Sequence, residues 1–216
     1  MPHTAIDLVD RAAELGFDAL AVTLHDCQFA NARLAAHAQQ RGITLIPGIE
    51  RTIHGRHVLL LNFPAAAAEA VQTLDDVRRL KERHRSGLVI APHAFFPGTT
   101  CLRRALDRHA DLFDAVEWSY FWLRDVNFNA RAARWAHDRG KPLVGNSDLH
   151  DLRQLGRTFS LVDSVRDVDA ICSAIKAGRV VVETSPVPIL ELAEVLGRML
   201  VRGRKRAPAM VAVQDS

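Results

Sequence analysis

The stretch "TAIDLVDRAAELGFDALAVTLHD", residues 4 to 26, decides how the rest of the chain is read. Its first half spaces apolar residues at helical intervals and stops at Gly16, and its second half is a continuous apolar run of strand length. Together they make one αβ unit. The alternation then repeats: "ANARLAAHAQQRG" (30–42) precedes "ITLIPGIE" (43–50), and "HVLLLNF" (57–63) follows after only "RTIHGR", which predicts a neighbouring strand reached by a turn. A long helix over 65–87 leads to "LVIAPHAF" (88–95), and "LRRALDRHADLF" (102–113) leads to "DAVEWS" (114–119). "NFNARAARWAHDRG" (127–140) leads to "KPLVGNSD" (141–148), and "VRDVDAICSAIKAG" (165–178) to "RVVVETS" (179–185). Alternating buried strands and amphipathic helices imply a parallel sheet covered by helices, and seven or eight strands favour a closed βα barrel over an open sheet. The phosphate-loop patterns of open nucleotide-binding sheets, GxGxxG and GxxxxGK[ST], are missing from the sequence.

With 216 residues, 48% hydrophobic and 25% charged, the chain suits one folded domain, expected over 1–200, followed by a basic tail over 201–216 that contains "RGRKR". The formal charge of +3 owes much to that tail, so the folded body is near neutral. No run approaches the ~18 apolar residues of a membrane span, and the N-terminus lacks the order of a signal peptide, so no membrane association and a cytoplasmic location are expected. Cys27, Cys101 and Cys172 are scattered without CxxC pairing and read as reduced thiols.

In βα barrels the chemistry gathers where polar side chains from separate strands converge at the strands' C-terminal ends. At those places stand His25, Glu50, His93, Glu117, and Asp148 with His150. Imidazole nitrogen and carboxylate oxygen are ligands that zinc, manganese and iron(II) share, so the set predicts a catalytic metal site with positions open to water. Glu117 is the weakest member of the set. His57 begins the strand after Glu50 and stands at the edge of the expected site, with His54 in the intervening loop. His37, His84, His109 and His137 fall in or near helix ends and read as structural.

The order "VTLHD", "PGIE", "APHAF", "VEWS", "GNSDLH" resembles the PHP family, the polymerase and histidinol phosphatase metal-dependent phosphoesterases, over about residues 3 to 185. The resemblance implies a distorted seven-stranded βα (TIM-like) barrel with up to two or three divalent ions, zinc, manganese or iron. It implies metal ligands at His25, Glu50, His93, Asp148 and His150, with Glu50, Asp148 and His150 serving catalysis. Two departures stand out. The H-x-H of the family's first strand has no counterpart; the chain opens where members continue after it, so the expected barrel lacks its first strand. Leu24 also replaces the aspartate that precedes the ligand histidine, while Asp26 is retained.

The expected activity is hydrolysis of a phosphate ester of a small metabolite or nucleotide by metal-activated water, with Arg51, Arg56, Arg124 and Arg153 as candidate phosphate-binding cations. Two alternatives are a non-catalytic binding or scaffolding relative, given the missing H-x-H, and a nuclease that uses the basic tail to approach a nucleic-acid backbone.

Overall fold

The computed structural model describes residues 4–29, 31–149 and 151–188. His150 and the basic tail therefore lie outside the described residues. The chain runs α1 (Ala5–Glu14), β1 (Ala19–His25), α2 (Ala32–Gln40), β2 (Thr44–Ile53) and β3 (Arg56–Leu61). It continues through α3 (Ala65–Glu69), α4 (Leu74–Arg83), β4 (Leu88–Ala91), α5 (Arg104–Arg108), β5 (Ala115–Ser119), α6 (Asn129–Asp138) and β6 (Leu143–Asn146). The last described elements are β7 (Thr158–Val162), α7 (Val168–Lys176) and β8 (Val180–Thr184). None of the described helices is long and apolar enough to cross a membrane.

Strands β1 to β6 form one curled sheet in chain order, and β7 and β8 form a separate antiparallel pair. Among the described residues this is a six-stranded half-barrel, with β1 and β6 at its two edges, rather than a closed seven-stranded barrel. The sheet is also mixed where the alternating pattern implied a parallel one. β3 runs antiparallel to both β2 and β4. The reason is local: His54 (φ 48°) and Gly55 (φ 74°) make a two-residue turn of the kind that closes hairpins, and so short a connection joins only antiparallel strands. The helix expected over 65–87 is interrupted as well. Thr73 accepts from the Asp76 amide while Asp76 accepts from the Thr73 amide, so this reciprocal cap starts a new helix at Leu74.

Alternation along the strands sends side chains to two cores. Ile49, Val58, Leu60, Val89, Ala91 and Val116 pack with Val77, Leu80, Leu106, Phe113 and Trp135 of the α4–α6 side. Ile46, Leu59, Leu61, Ile90, Ala115 and Val144 face the other way and are covered by Ile171 and Ile175 of α7. A third cluster, with Val9, Ala12, Leu34 and Ala38, seats α1 and α2 against the sheet's β1 end. His37 ties those two helices together through Asp10 at 2.9 Å, in keeping with its structural reading.

Near the sheet's second edge the β7–β8 pair closes over β6. A Cβ at Gly145 would stand 2.5 Å from the backbone carbonyl oxygen of Phe159, closer than atoms of the two strands can approach. Gly145→Ala therefore forces β6 and β7 apart and is expected to cost about 1–3 kcal/mol, the usual range for overpacking, read as a lowered urea midpoint. An unchanged midpoint would show that the two strands can separate at no cost.

Candidate metal centre

Glu50 lies on β2 in register with His25 on β1 and with Leu59 on β3. Residues paired across a ladder share a face, and residues two apart on a strand share it too, so His25, Glu50 and His57 all project from the face that carries Ile46 and Leu59. Glu117, two residues past Ala115, belongs to that face on β5. The apolar core fills the lower part of the half-barrel, and these polar groups stand above it at the rim.

There the side chains converge. His25 Nδ1 is 3.3 Å from Glu50 Oε2, and His57 Nδ1 is 2.8 Å from Glu50 Oε1. His93 Nε2 is 3.4 Å from the same Oε1 and 3.4 Å from His57 Nδ1. His25, Glu50 and His57 each offer a ligand atom, all within 4.8 Å of one another. Donors about 2.0–2.2 Å from a tetrahedral ion stand roughly 3.3–3.6 Å apart, a spacing that the His25 and Glu50 atoms have at 3.3 Å and that His57 and Glu50, at 2.8 Å, would reach by moving apart. The donor set, neutral imidazole with carboxylate, fits the same group of metals.

Behind the donors is a layer that aims them. His93 Nδ1 is 3.4 Å from the buried Cys101 Sγ, which leaves Nε2 as the nitrogen turned toward Glu50. The His93 backbone amide donates to Glu117, whose carboxylate is also hydrogen-bonded to the Asn146 side chain. His93 (φ 30°) and Asp148 (φ 40°) follow closely on β4 and β6, and Asp26 (φ 55°) follows directly on β1. Three non-glycine residues in the left-handed region at one rim is the strain that functional sites store.

The electrostatics follow from this crowding. Burial opposes charge on Glu50, but hydrogen bonds with His57 and His93 and the nearby His25 outweigh it and hold the carboxyl at about 2. Burial likewise disfavours a charged His93. Cys101 and Glu50, followed by Glu117 and Asp148, overcome this and push the ring up to about 11. Burial pushes Glu117 up to about 7, with Asp148 adding to the shift and His93 opposing it. Stability from the lowered Glu50 is present above 4.5 and is lost as pH falls toward 2; stability from the raised His93 is present below 6.5 and is lost as pH rises through 11. The cluster thus contributes fully to the metal-free protein between pH 4.5 and 6.5. Thermal unfolding of wild type and Glu50→Gln should differ most in that window, and a difference independent of pH would contradict the assignment.

Of the residues expected from sequence, His25, Glu50 and His93 meet directly, and Glu117 and Asp148 act on His93 electrostatically. His150 lies outside the described residues. His57 sits at the centre of the cluster rather than at its edge, and Cys101 is the partner that sequence reading missed. The hairpin register held the signal for His57; nothing in sequence spacing marks Cys101. The candidate phosphate-binding cations are engaged with the protein: Arg51 with Asp26 at 2.9 Å and with the Val71 carbonyl, Arg56 with the Cys101 carbonyl, and Arg153 with Asp151 at 3.1 Å. Arg124 is exposed. Asp26 also accepts from the Thr52 amide at 2.8 Å, so its carboxylate braces β2 rather than joining the cluster.

Residues 126–180 match the family model for the PHP-associated segment. Over that segment the chain is similar to the PHP family. The matched segment spans α6, β6, β7 and α7 and includes Asp148, while His25, Glu50, His57 and His93 lie ahead of it. Solved structures share this chain's fold over a greater length. PsfC from Pseudomonas syringae is 19% identical with a TM-score of 0.63, covering 92% of this chain and 88% of its own. A Bifidobacterium adolescentis protein assigned as a metal-dependent phosphoesterase is 15% identical with a TM-score of 0.55, covering 69% and 83%. An amidohydrolase from Chromobacterium violaceum, solved with sulfate and without metal, is 18% identical with a TM-score of 0.54, covering 82% and 92%. A search of curated proteins finds no sequence match.

Proposed function

We propose that the chain is a divalent-metal-dependent hydrolase acting on a phosphate ester of a small molecule. The observation that carries this reading is the convergence of the His25, His57 and His93 rings on the Glu50 carboxylate at the sheet's rim. The metal-dependent phosphoesterase among the structures of similar fold supports it. His25, Glu50, His57 and His93 would hold zinc, manganese or iron, with Asp148 adding a carboxylate; His150 joins them on the strength of its place in "SDLH". A bound divalent ion supplies Lewis acidity toward a phosphoryl oxygen and makes its water a better nucleophile near neutral pH.

The protein's own groups shape the reaction around that chemistry. Glu50, buried among three rings, stays ionised and accepts from His57 and His93, which holds those rings turned toward it. Cys101 and Glu117 fix the ring and backbone of His93 from behind, so its direction does not change as substrate arrives. In hydrolysis the water oxygen joins phosphorus, the bond from phosphorus to the alcohol oxygen breaks, and one water proton ends on that departing oxygen.

The test is release of phosphate from p-nitrophenyl phosphate by protein loaded with manganese or zinc, alongside elemental analysis of bound metal. Metal-dependent release that disappears with chelator supports the reading. Protein holding an equivalent of metal that hydrolyses no phosphomonoester or phosphodiester overturns it, and protein that takes up no metal at all favours a binding role instead.

A further inference from the structure

A cavity of about 390 Å³ opens between the connection after β4 and the connection after β5, lined by Phe95, Pro97, Arg103, Asn127, Phe128 and Arg131. Its volume is at the small end of ligand sites, enough for a single-ring group. Both walls are tied to the metal centre within two residues. Phe95 lies two positions past His93, and the Phe96 amide donates to the His93 carbonyl oxygen at 3.1 Å. On the other side, buried Asn129 accepts from the Ser119 amide at 3.0 Å and donates to the Ser119 carbonyl oxygen at 2.9 Å. That clamp sets the start of α6, with Phe128 beside it, over the end of the strand that carries Glu117. The Phe96 and Phe128 rings meet at 5.4 Å and join the two connections.

The lining combines flat apolar surface with positive charge. The Arg131 guanidinium lies 4.6 Å over the Phe95 ring, and Arg103 donates through Nε and Nη2 to the Phe96 carbonyl oxygen. Among the described residues neither arginine is paired with a carboxylate. Arg103 is held with φ 48°, a left-handed backbone that a non-glycine residue adopts at a cost. By contrast, Arg51 and Arg153 on the same rim are already neutralised by aspartates.

Building on the phosphoesterase reading, the geometry points to this cavity as the seat of the alcohol portion of the substrate: a flat group of single-ring size that carries a second anion, a carboxylate or a phosphate. The anion pairs with Arg103 and Arg131, and the ring lies against Phe128 and Pro97. Substrate class is then set by the β4 and β5 connections, apart from the groups that hold metal.

The test compares kcat/KM of the manganese-loaded enzyme for phenyl phosphate, 4-carboxyphenyl phosphate and 1,4-phenylene bisphosphate. Binding of the product 4-hydroxybenzoate to metal-free protein is followed by saturation-transfer NMR, with phenol as control. A charge-assisted pair is worth about a factor of ten, so at least one doubly anionic ester should be preferred about tenfold, and Arg131→Gln should collapse that preference. Whichever ester gains more identifies the anion. Turnover without preference overturns the cavity assignment while leaving the phosphoesterase reading intact. No turnover, with 4-hydroxybenzoate bound by wild type and not by Arg131→Gln, overturns the phosphoesterase reading and supports the cavity. Failure of 4-hydroxybenzoate to bind, together with no preference among the esters, removes it.

Discussion

Glu50→Gln is expected to lower metal-dependent phosphate release at least a hundredfold and to reduce bound metal in the same preparation. The amide keeps the size of the side chain and removes its charge. Three imidazoles now face a neutral group, and the amide nitrogen, a donor, meets rings that themselves must present lone pairs to an ion. Losing even an outer partner of a metal ligand commonly costs 10–100-fold, and Glu50 contacts three candidate ligands at once. The fold should survive, because Gln preserves the packing volume and Glu50 lies above the apolar core rather than inside it. Circular dichroism would establish that. Full activity with full metal occupancy in Glu50→Gln would remove Glu50 from the centre of the site.

Phe113→Ala is expected to have the largest effect on stability. Phe113 is wholly buried in the cluster shared by β4, β5 and the α4–α6 helices, and it sits just before β5. Truncating a buried phenylalanine costs about 3–5 kcal/mol, against a total of about 5–15 kcal/mol for an ordinary domain. The next residue, Asp114, accepts from the Val89 amide and from Lys81, so collapse around the cavity is resisted by a fixed neighbour. The cost should fall at the upper end of that range. Urea titration should show a lower midpoint with an unchanged slope; a loss below 1 kcal/mol would mean that the helices close the void. Activity per folded molecule should change little, since Phe113 faces the core opposite to the metal centre.

Much of the site was legible in the sequence, and what was hidden had a common cause. The strand ends were readable because polar side chains that close apolar runs converge at one rim; for the enclosed Glu50 and His93, burial is costly unless they meet a partner, and they do, with the exposed His25 completing the contact to Glu50. The alternating pattern implied a parallel sheet as a whole, and although the short "RTIHGR" connection predicted that β3 is reached by a turn, its direction and register were not drawn from that. Counting the register back from the "HG" turn would have corrected this: Ile53 pairs with Arg56, Thr52 with His57, and Glu50 with Leu59. Period two then puts His57 on the Glu50 face. Cys101 could not have been found this way, because it approaches His93 through a loop whose path depends on tertiary contacts, the His57 amide bonding to the Thr100 carbonyl oxygen among them. The break near Thr73 was available in the T-x-x-D spacing but lay within a run of strong helix formers.

The β2–β3 hairpin continues three residues past Glu50, to Ile53, before it turns back at Arg56. Roughly 10 Å of paired ribbon therefore stands above the ligands on that side, anchored by buried Ile53 and by the bond from the Thr52 amide to Asp26. The mouth of the site is thus asymmetric, with a stiff parapet along one side and aperiodic connections along the other. Changes in the β4 and β5 connections can reshape what the mouth admits, while the parapet keeps Glu50 and His57 in register. Under the proposed function, a chain built this way can acquire new substrates without rebuilding the groups that would hold the ion.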